Sequence, residues 1–538
     1  MARKSILVIV VSLAAISFYC AFENLSFAES QPVSQNPEDF VHQPMVTGVV
    51  PPGHNPITSV PFGFHIGRIY PKDIFTHNPD NLADPKLWGT YSYAEDVGAG
   101  WERPGMYAFI PPQELGATWQ QLMDSNYGSI PVSMHILANI DVRRWAAIQP
   151  SNIPKELQKL STYNPPASYL KLVDEEKYIQ FVKDLVERYD GDGLSDMPGL
   201  KNPIKYWQID NELPGPPPSG VPLVLDAQAD TATIASWFNV SVDNYTHILE
   251  ITAKAIKAQD PQAKVVLSGM ADVGSQTEKL FHTYYLRVLE KLTGKDVDIF
   301  DYHFYGNATG NYRVMKDAYA MIREGLDVLG YKGMEIWITE TAVYSGRPRD
   351  VEGYASSQTE KEQAVDLFRR IVFPLSFGVK KVFWFSIMDN AVSQGPDGYM
   401  GLLYNGHGDN NPGYCAKKLS YFTFKKLSET LDGGEWDTIQ VIQEKDGIYV
   451  YKFITQGKPV WVIWNDTQEE TPVSISGIAS AEAVITEAVP KYEFGKDIVD
   501  YHAAFNSEIK PVKEGKLQVL VKDIPLFVYE KQAVNVKE

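Results

Sequence analysis

Between residues 61 and 427, short apolar runs alternate with segments whose apolar residues fall three and four apart. The runs occupy 62–70, then 97–103 or 106–110, then 130–137, 204–209, 264–268, 299–305, 334–339 and 382–387. Between them, Tyr178, Phe181, Val182, Leu185, Val186 and Tyr189 trace one helical face, and Ala364, Leu367, Phe368, Ile371 and Val372 trace another. The second helix opens on Ser357-Gln358-Thr359-Glu360, a capping-box pattern. Eight strand-helix alternations predict an α/β protein built on a parallel (β/α)8 barrel, the TIM-barrel architecture. An open doubly wound sheet is the rival. It would carry a glycine-rich turn after its first strand, and none is present.

Past residue 427 the helical period stops. Strand-like runs follow at 437–444, 447–454, 459–464, 472–476, 517–522 and 525–530, the first two joined by an Asp446-Gly447 hairpin signal. They predict an antiparallel β-sandwich over 431–538, behind a catalytic barrel over 61–430. Residues 29–60, rich in Pro, Gln, Asn and Ser, predict a linker or surface arm.

The first 28 residues read as a secretory signal: Arg3 and Lys4, an apolar run over 5–22, and a small-x-small site at Ser26-Phe27-Ala28. The expectation is export to a periplasmic or extracellular location. The apolar run is long for a signal, so an uncleaved membrane anchor is the alternative. Cleavage after Ala28 removes Cys20 and leaves Cys415, which excludes an internal disulfide and a multi-thiolate metal site. Cys415 itself reads as a small buried hydrophobe.

The 67 acidic against 49 basic residues give a net charge of -18. That excludes nucleic acid as an expected partner, because phosphates are neutralised by clustered Lys and Arg. It also disfavours a stable partnership with anionic membranes. There is no Walker loop, no His-Glu-x-x-His helix and no Gly-x-Ser-x-Gly elbow. Gly408-Asp409-Asn410-Asn411 lacks EF-hand spacing and reads as a solvated turn.

Barrel enzymes display their chemistry where strands end. Glu212 lies just past the fourth run, in Tyr206-Trp207-Gln208-Ile209-Asp210-Asn211-Glu212, and Glu340 just past the seventh, in Ile336-Trp337-Ile338-Thr339-Glu340. Strands four and seven can face each other across a barrel mouth. Two facing carboxyl groups are what glycosidic cleavage needs, one to donate a proton and one to attack. Glu335, at the start of the seventh run, belongs on the opposite rim and serves as a control.

The Asn211-Glu212 and Thr339-Glu340 pairs resemble those of glycoside hydrolase clan A, the retaining barrel glycosidases that include families 5 and 39. The resemblance spans roughly residues 61–430. It implies Glu212 as acid/base, Glu340 as nucleophile and Asn211 as a ligand of the sugar 2-hydroxyl. It further implies roles for His303 and Tyr305 of Asp301-Tyr302-His303-Phe304-Tyr305, with the phenol oriented on Glu340. Trp384 is expected beneath the sugar, Arg103 near the nucleophile and His135 at the end of strand three. Trp88 and Trp101 are read as outer-subsite or loop-packing residues. The loops 137–204, 214–219 and 394–411 are expected on the catalytic rim. The implied chemistry is hydrolysis of O-glycosidic bonds in oligo- or polysaccharides, with a carbohydrate substrate and no cofactor or metal. A non-catalytic carbohydrate-binding protein and a transglycosylase using the same residues are the competing readings.

Overall fold

The computed structural model describes residues 60–69, 89–104, 118–142, 146–147, 171–172, 174–213, 231–272, 274–292, 296–308, 310–349, 354–390, 393–407, 411–467 and 469–531. The expected signal and arm, Trp88, the run at 106–110, the Pro-rich segment 214–219 and Gly408–Asn410 lie outside the described residues.

Eight parallel strands close into a barrel. They are β1 (Phe62–His65), β2 (Trp101–Arg103), β3 (His135–Ile140), β4 (Tyr206–Ile209), β5 (Lys264–Val266), β6 (Ile299–Phe304), β7 (Glu335–Thr341) and β8 (Val382–Phe385). Closure is made by β1, which pairs with β8 on one side and β2 on the other. The helices used below are α1 (Trp119–Gly128), α2 (Glu175–Tyr189), α3 (Thr231–Gln259), α4 (Val314–Val328), α5 (Glu360–Ser376) and α6 (Leu419–Leu431). The cap of α5 is Thr359 with Glu362, two residues beyond the frame expected from Ser357. Among the described residues no helix is long and apolar enough to cross a membrane.

The lower half of the barrel lumen is hydrocarbon and aromatic: Trp101, Leu137, Val266, Ile299, Trp337 and Phe383 form one buried cluster. Strand alternation sends the intervening residues, among them Phe64, Trp207, Phe300, Ile338 and Trp384, outward to the helix layer. Trp101 therefore plugs the barrel floor at 4% exposure and is not an outer subsite.

The C-terminal unit carries a six-stranded antiparallel sheet and a two-stranded one. In chain order its strands are β9 (Gln440–Lys445), β10 (Ile448–Thr455), β11 (Lys458–Asn465), β12 (Thr471–Ser476), β13 (Glu482–Glu487), β14 (Ser507–Pro511), β15 (Lys516–Val521) and β16 (Leu526–Glu530). The large sheet runs β9-β10-β11-β16-β13-β14, and β12 pairs with β15. β13 and β14 were not among the expected strands; β14 is mostly exposed and its pattern is polar.

Both faces of the large sheet's central strands, β10, β11 and β16, are buried, each against something different. Val450, Trp461, Ile463 and Val528 pack on the small sheet. Tyr451, Phe453, Val462, Trp464 and Phe527 belong to the barrel's own core cluster. Polar ties reinforce the seam. Arg369 of α5 donates to the Asn465 and Asp523 carbonyls at 3.1 and 2.8 Å. Glu360 accepts from the backbone of both Leu419 and Gly495.

Because Trp464 is buried in this shared core, Trp464→Ala should cost about 3–5 kcal/mol. Urea unfolding of the whole chain should then shift as one transition. Loss of the C-terminal unit alone, with an unshifted barrel transition, would show that the seam does not couple them.

Candidate active site

Above the apolar floor the lumen turns polar. Inward positions one layer higher are Arg103, Gln208, Asp301 and Thr339, all at 0% exposure. Arg103 organises them. Its Nε donates to Gln208 Oε1 at 2.7 Å, its Nη1 to Glu340 Oε1 at 2.7 Å and its Nη2 to Asn211 Oδ1 at 2.5 Å. Gln208 Nε2 in turn donates to Asp301 Oδ2 at 2.5 Å. Asp301 also accepts from the Thr339 backbone N–H and hydroxyl.

Glu340 reaches this layer through a bulge. The step from Asp301 to His303 on β6 is matched on β7 by the longer step from Trp337 to Glu340. On the other side, Val382 to Trp384 is matched by Ile338 to Thr341. One extra residue in β7 lets neighbouring Thr339 and Glu340 both address the lumen, which a regular strand forbids. Across the mouth, β4 ends in a kink: Asp210 and Glu212 both take left-handed backbone, at φ 66° and 50°. That costs roughly 1–2 kcal/mol per residue and swings the Glu212 side chain over the barrel.

His303 lies between the two acids. Its Nδ1 is 2.7 Å from Glu212 Oε1 and 3.5 Å from Glu340 Oε2. One oxygen of each carboxylate and a His303 ring nitrogen lie within 4.8 Å of one another. Tyr305 donates its hydroxyl to Glu340 Oε2 at 2.5 Å, and Asp272 holds the Tyr305 backbone N–H at 3.0 Å. His65, from the end of β1, donates Nδ1–H to the Arg103 carbonyl at 2.9 Å and turns Nε2 toward Glu340 Oε1 at 3.4 Å.

The electrostatics split the two acids. Burial alone would raise Glu340, but His303, His65, Arg103 and the Tyr305 hydroxyl together hold it down at about 2. Glu212 moves up, because burial and the neighbouring Glu340 charge outweigh His303 and Arg103. Burial opposes a charge on His303, yet Glu340, Asp301 and Glu212 lift it to about 10. Burial, with Arg103 beside it, pushes His65 down to about 3, so it is neutral. Two cations, Arg103 and His303, thus face the carboxylates of Glu340 and Asp301. A further negative charge on Glu212 would be unbalanced, and of the two acids it is the one that keeps its proton longer.

The structure brings together Glu212, Glu340, Asn211, His303, Tyr305 and Arg103. It does not bring His135 or Trp384 to them. β3 begins at His135, within the last three residues of the expected run, so this ring sits at the barrel floor tilted against Trp101 at 4.8 Å. Asn139 is the β3 residue near the mouth, donating to the Asp210 carbonyl at 2.8 Å. Trp384 is one position out of phase: it points to the helix layer and donates Nε1–H to the Met400 carbonyl at 2.9 Å. Phe385 takes the mouth position, with ring contacts to His65 at 5.5 Å and Tyr305 at 6.3 Å. Glu335 sits on the opposite rim, accepting from Trp337 Nε1. His65, Gln208, Asp301 and Phe385 were missed. For the first three the available signal was a polar residue in the inward phase of an apolar strand; Phe385, in an all-apolar strand, carried none.

Glu212, His303 and Glu340 have donor atoms close enough to ligate a metal. Their chemistry fits one poorly, since both Glu340 oxygens already accept from Arg103 and Tyr305, and a divalent ion would stand against the guanidinium. A second acidic group, Asp190, Asp192 and Asp196, follows α2; its carboxylates accept from amides of their own loop.

No protein-family model matches the chain, and no curated protein does. Solved structures similar to it include a monomeric β-xylosidase from Caulobacter crescentus CB15, at 14% identity and TM-score 0.49, covering 88% of this chain and 97% of that one. A glycoside hydrolase family 39 enzyme from Xanthomonas axonopodis pv. citri matches at 13% and 0.47, covering 88% and 94%. A family 51 α-L-arabinofuranosidase from Bifidobacterium longum matches at 12% and 0.49, covering 88% and 95%. At such identities and TM-scores these likenesses assign no chemistry to the chain.

Gly269 offers a sharp test of the His303 position, because a Cβ there would lie 2.0 Å from His303 Nε2. Gly269→Ala should displace the imidazole and lower turnover by about 10²-fold, the scale of losing one positioned group. His135→Ala should leave turnover unchanged. Steady-state rates on one aryl glycoside check both, and a sensitive His135 would overturn its placement at the floor.

Proposed function

We propose that the chain is a retaining glycoside hydrolase acting on O-glycosidic bonds of oligo- or polysaccharides. The observation that carries this reading is the pair of carboxylates at the barrel mouth, with oxygens within 4.8 Å and opposite protonation bias. Retaining enzymes hold their carboxyl groups about 5–5.5 Å apart, whereas inverting ones leave about 6.5–9.5 Å for a water.

In the first step ionised Glu340 attacks the anomeric carbon while the Glu212 carboxyl gives its proton to the departing oxygen. In the second, Glu212 takes a proton from water, the water oxygen bonds to the anomeric carbon and Glu340 leaves. Arg103 and Tyr305 keep Glu340 ionised and aimed. Arg103 occupies the Asn211 carbonyl oxygen, which turns the Asn211 amide hydrogens toward incoming hydroxyls. His65 Nε2 and Glu340 Oε1 are two acceptors 3.4 Å apart, and Oε1 already accepts from Arg103, so a sugar hydroxyl reaching this corner would donate to His65 Nε2. Transglycosylation uses the same two steps with a sugar hydroxyl in place of water, and product analysis separates the two. Export through the N-terminal segment would place the enzyme with polysaccharide outside the cytoplasm.

Glu340→Gln should lower kcat by about three orders of magnitude or more, the scale for losing a nucleophile, while Glu335→Gln keeps wild-type rates. Equal activity in all three proteins, measured on a panel of aryl glycosides and polysaccharides, would remove Glu340 from the mechanism.

The pH profile should be a bell. Its acid limb follows Glu340, ionised down to about 2, and its alkaline limb follows Glu212 losing its proton above the ordinary carboxyl range. Glu212→Gln should erase the alkaline limb on substrates whose leaving group needs no proton. For stability, the depressed Glu340 contributes fully above its ordinary value of 4.5, and that contribution disappears as pH falls toward about 2. Glu340→Gln should therefore flatten part of the acid-unfolding curve; an unchanged curve would contradict the assigned charge.

A further inference from the structure

We propose that the junction between α6 and the C-terminal sheet is a second, non-catalytic site that binds a single neutral sugar ring. A cavity of about 200 Å³ opens there, walled by α6, the segment before β14, and strands β13, β14 and β16. At about 30 Å³ per water it has room for six or seven waters, the space one sugar ring with its hydroxyls would fill.

Its chemistry is mixed in a particular way. From α6 come an ammonium, Lys426, and a carboxylate, Glu429. Glu429 Oε2 accepts from the Tyr501 hydroxyl at 2.6 Å, while its Oε1 has only Lys425 at 3.9 Å among the described residues. Lys426 Nζ lies 5.6 Å from the centre of the Phe505 ring. Among the described residues it has no hydrogen-bond or ion-pair partner, although burial is heavy enough to pull its pKa down. The sheet supplies three hydroxyls in a row: Thr486 Oγ1 is 2.9 Å from Ser507 Oγ and 3.4 Å from the Tyr529 hydroxyl. Tyr501 and Phe505, packed edge to face at 5.5 Å, give the apolar wall.

A purely apolar ligand would cover Lys426 Nζ and Glu429 Oε1 without giving either a hydrogen bond, which is costly at a half-enclosed site. A phosphate or other strong anion would meet Glu429. A sugar ring has what the walls lack: hydroxyls that both donate and accept around its edge, and a C–H face for the aromatic rings. A vicinal diol would accept from Lys426 and donate to Glu429. The pocket sits on the flank of the barrel and shares no residue with the carboxylate site. Its binding therefore does not depend on whether Glu212 and Glu340 catalyse, and a chain that hydrolyses nothing would leave this test intact.

The test uses the full chain carrying Glu340→Gln, so that no sugar is turned over. Saturation-transfer NMR and calorimetry are run with D-xylose, L-arabinose, D-glucose, D-galactose, D-mannose and D-glucuronate. Two further variants, Lys426→Met and the cavity-filling Ser507→Phe, report on the pocket, and circular dichroism confirms their fold. At least one neutral sugar should bind, and both variants should weaken it about fivefold or more, the loss of one net hydrogen bond. In the Glu340-intact protein, the same two substitutions should leave turnover of an aryl glycoside unchanged. No neutral sugar binding, or binding indifferent to both variants, would overturn the proposal. Binding of D-glucuronate alone would overturn the assignment to a neutral ring.

Discussion

Arg103 is a full positive charge with no solvent exposure at the middle of a barrel, and the mouth is arranged around that charge. Leaving such a cation unpaired would cost several kcal/mol. Its guanidinium is a planar fork of fixed geometry, so each partner is placed as well as satisfied. One edge fixes Gln208, one prong fixes Asn211 and the other fixes Glu340. Because Gln208 passes the constraint to Asp301, and Asp301 to Thr339 and His303, strands β2, β4, β6 and β7 are locked in one polar layer. The depressed pKa of Glu340 and the raised pKa of His303 follow from that packing of charge.

Much of this was legible in the sequence, for a physical reason. Barrel strands alternate in and out, and their C-terminal ends share one face, so a Glu just past a strand has few places to go. Glu212 and Glu340 were read that way, whereas Arg103, His303 and Tyr305 came only from the resemblance to clan A. His135 was misplaced because the apolar stretch before it, over 130–134, packs as a loop and lends its hydrophobicity to the wrong end of β3. Trp384 was misplaced by one residue of phase; in Phe383-Trp384-Phe385 every position is aromatic, and the pattern cannot say which pair faces in. The β7 bulge leaves no mark in Trp337-Ile338-Thr339-Glu340. β14 escaped because its exposed, polar face lacks the alternation that reveals a strand.

The C-terminal sheet is continuous with the barrel core. Its outer layer has its own small sheet, while its inner layer of Tyr451, Phe453, Trp464 and Phe527 finishes the packing of α5 and α6. This arrangement gives the helix layer behind β8 an apolar cover, and with it a stable backing for the strand that presents Phe385 to the mouth. It also creates the flank cavity, since a helix and a sheet with polar edges cannot close completely around Lys426 and Glu429.

The central claim is that Glu340 forms a covalent bond to the sugar while Glu212 handles the proton. Incubation with activated 2-deoxy-2-fluoro glycosides of several sugars, which slow the second step more than departure of an activated leaving group, followed by proteolysis and peptide mass mapping, tests it most directly. The account predicts a single glycosyl adduct on the peptide carrying Glu340, with loss of activity in step with labelling. An adduct on Glu212, or turnover with inversion at the anomeric carbon and no adduct, would contradict it.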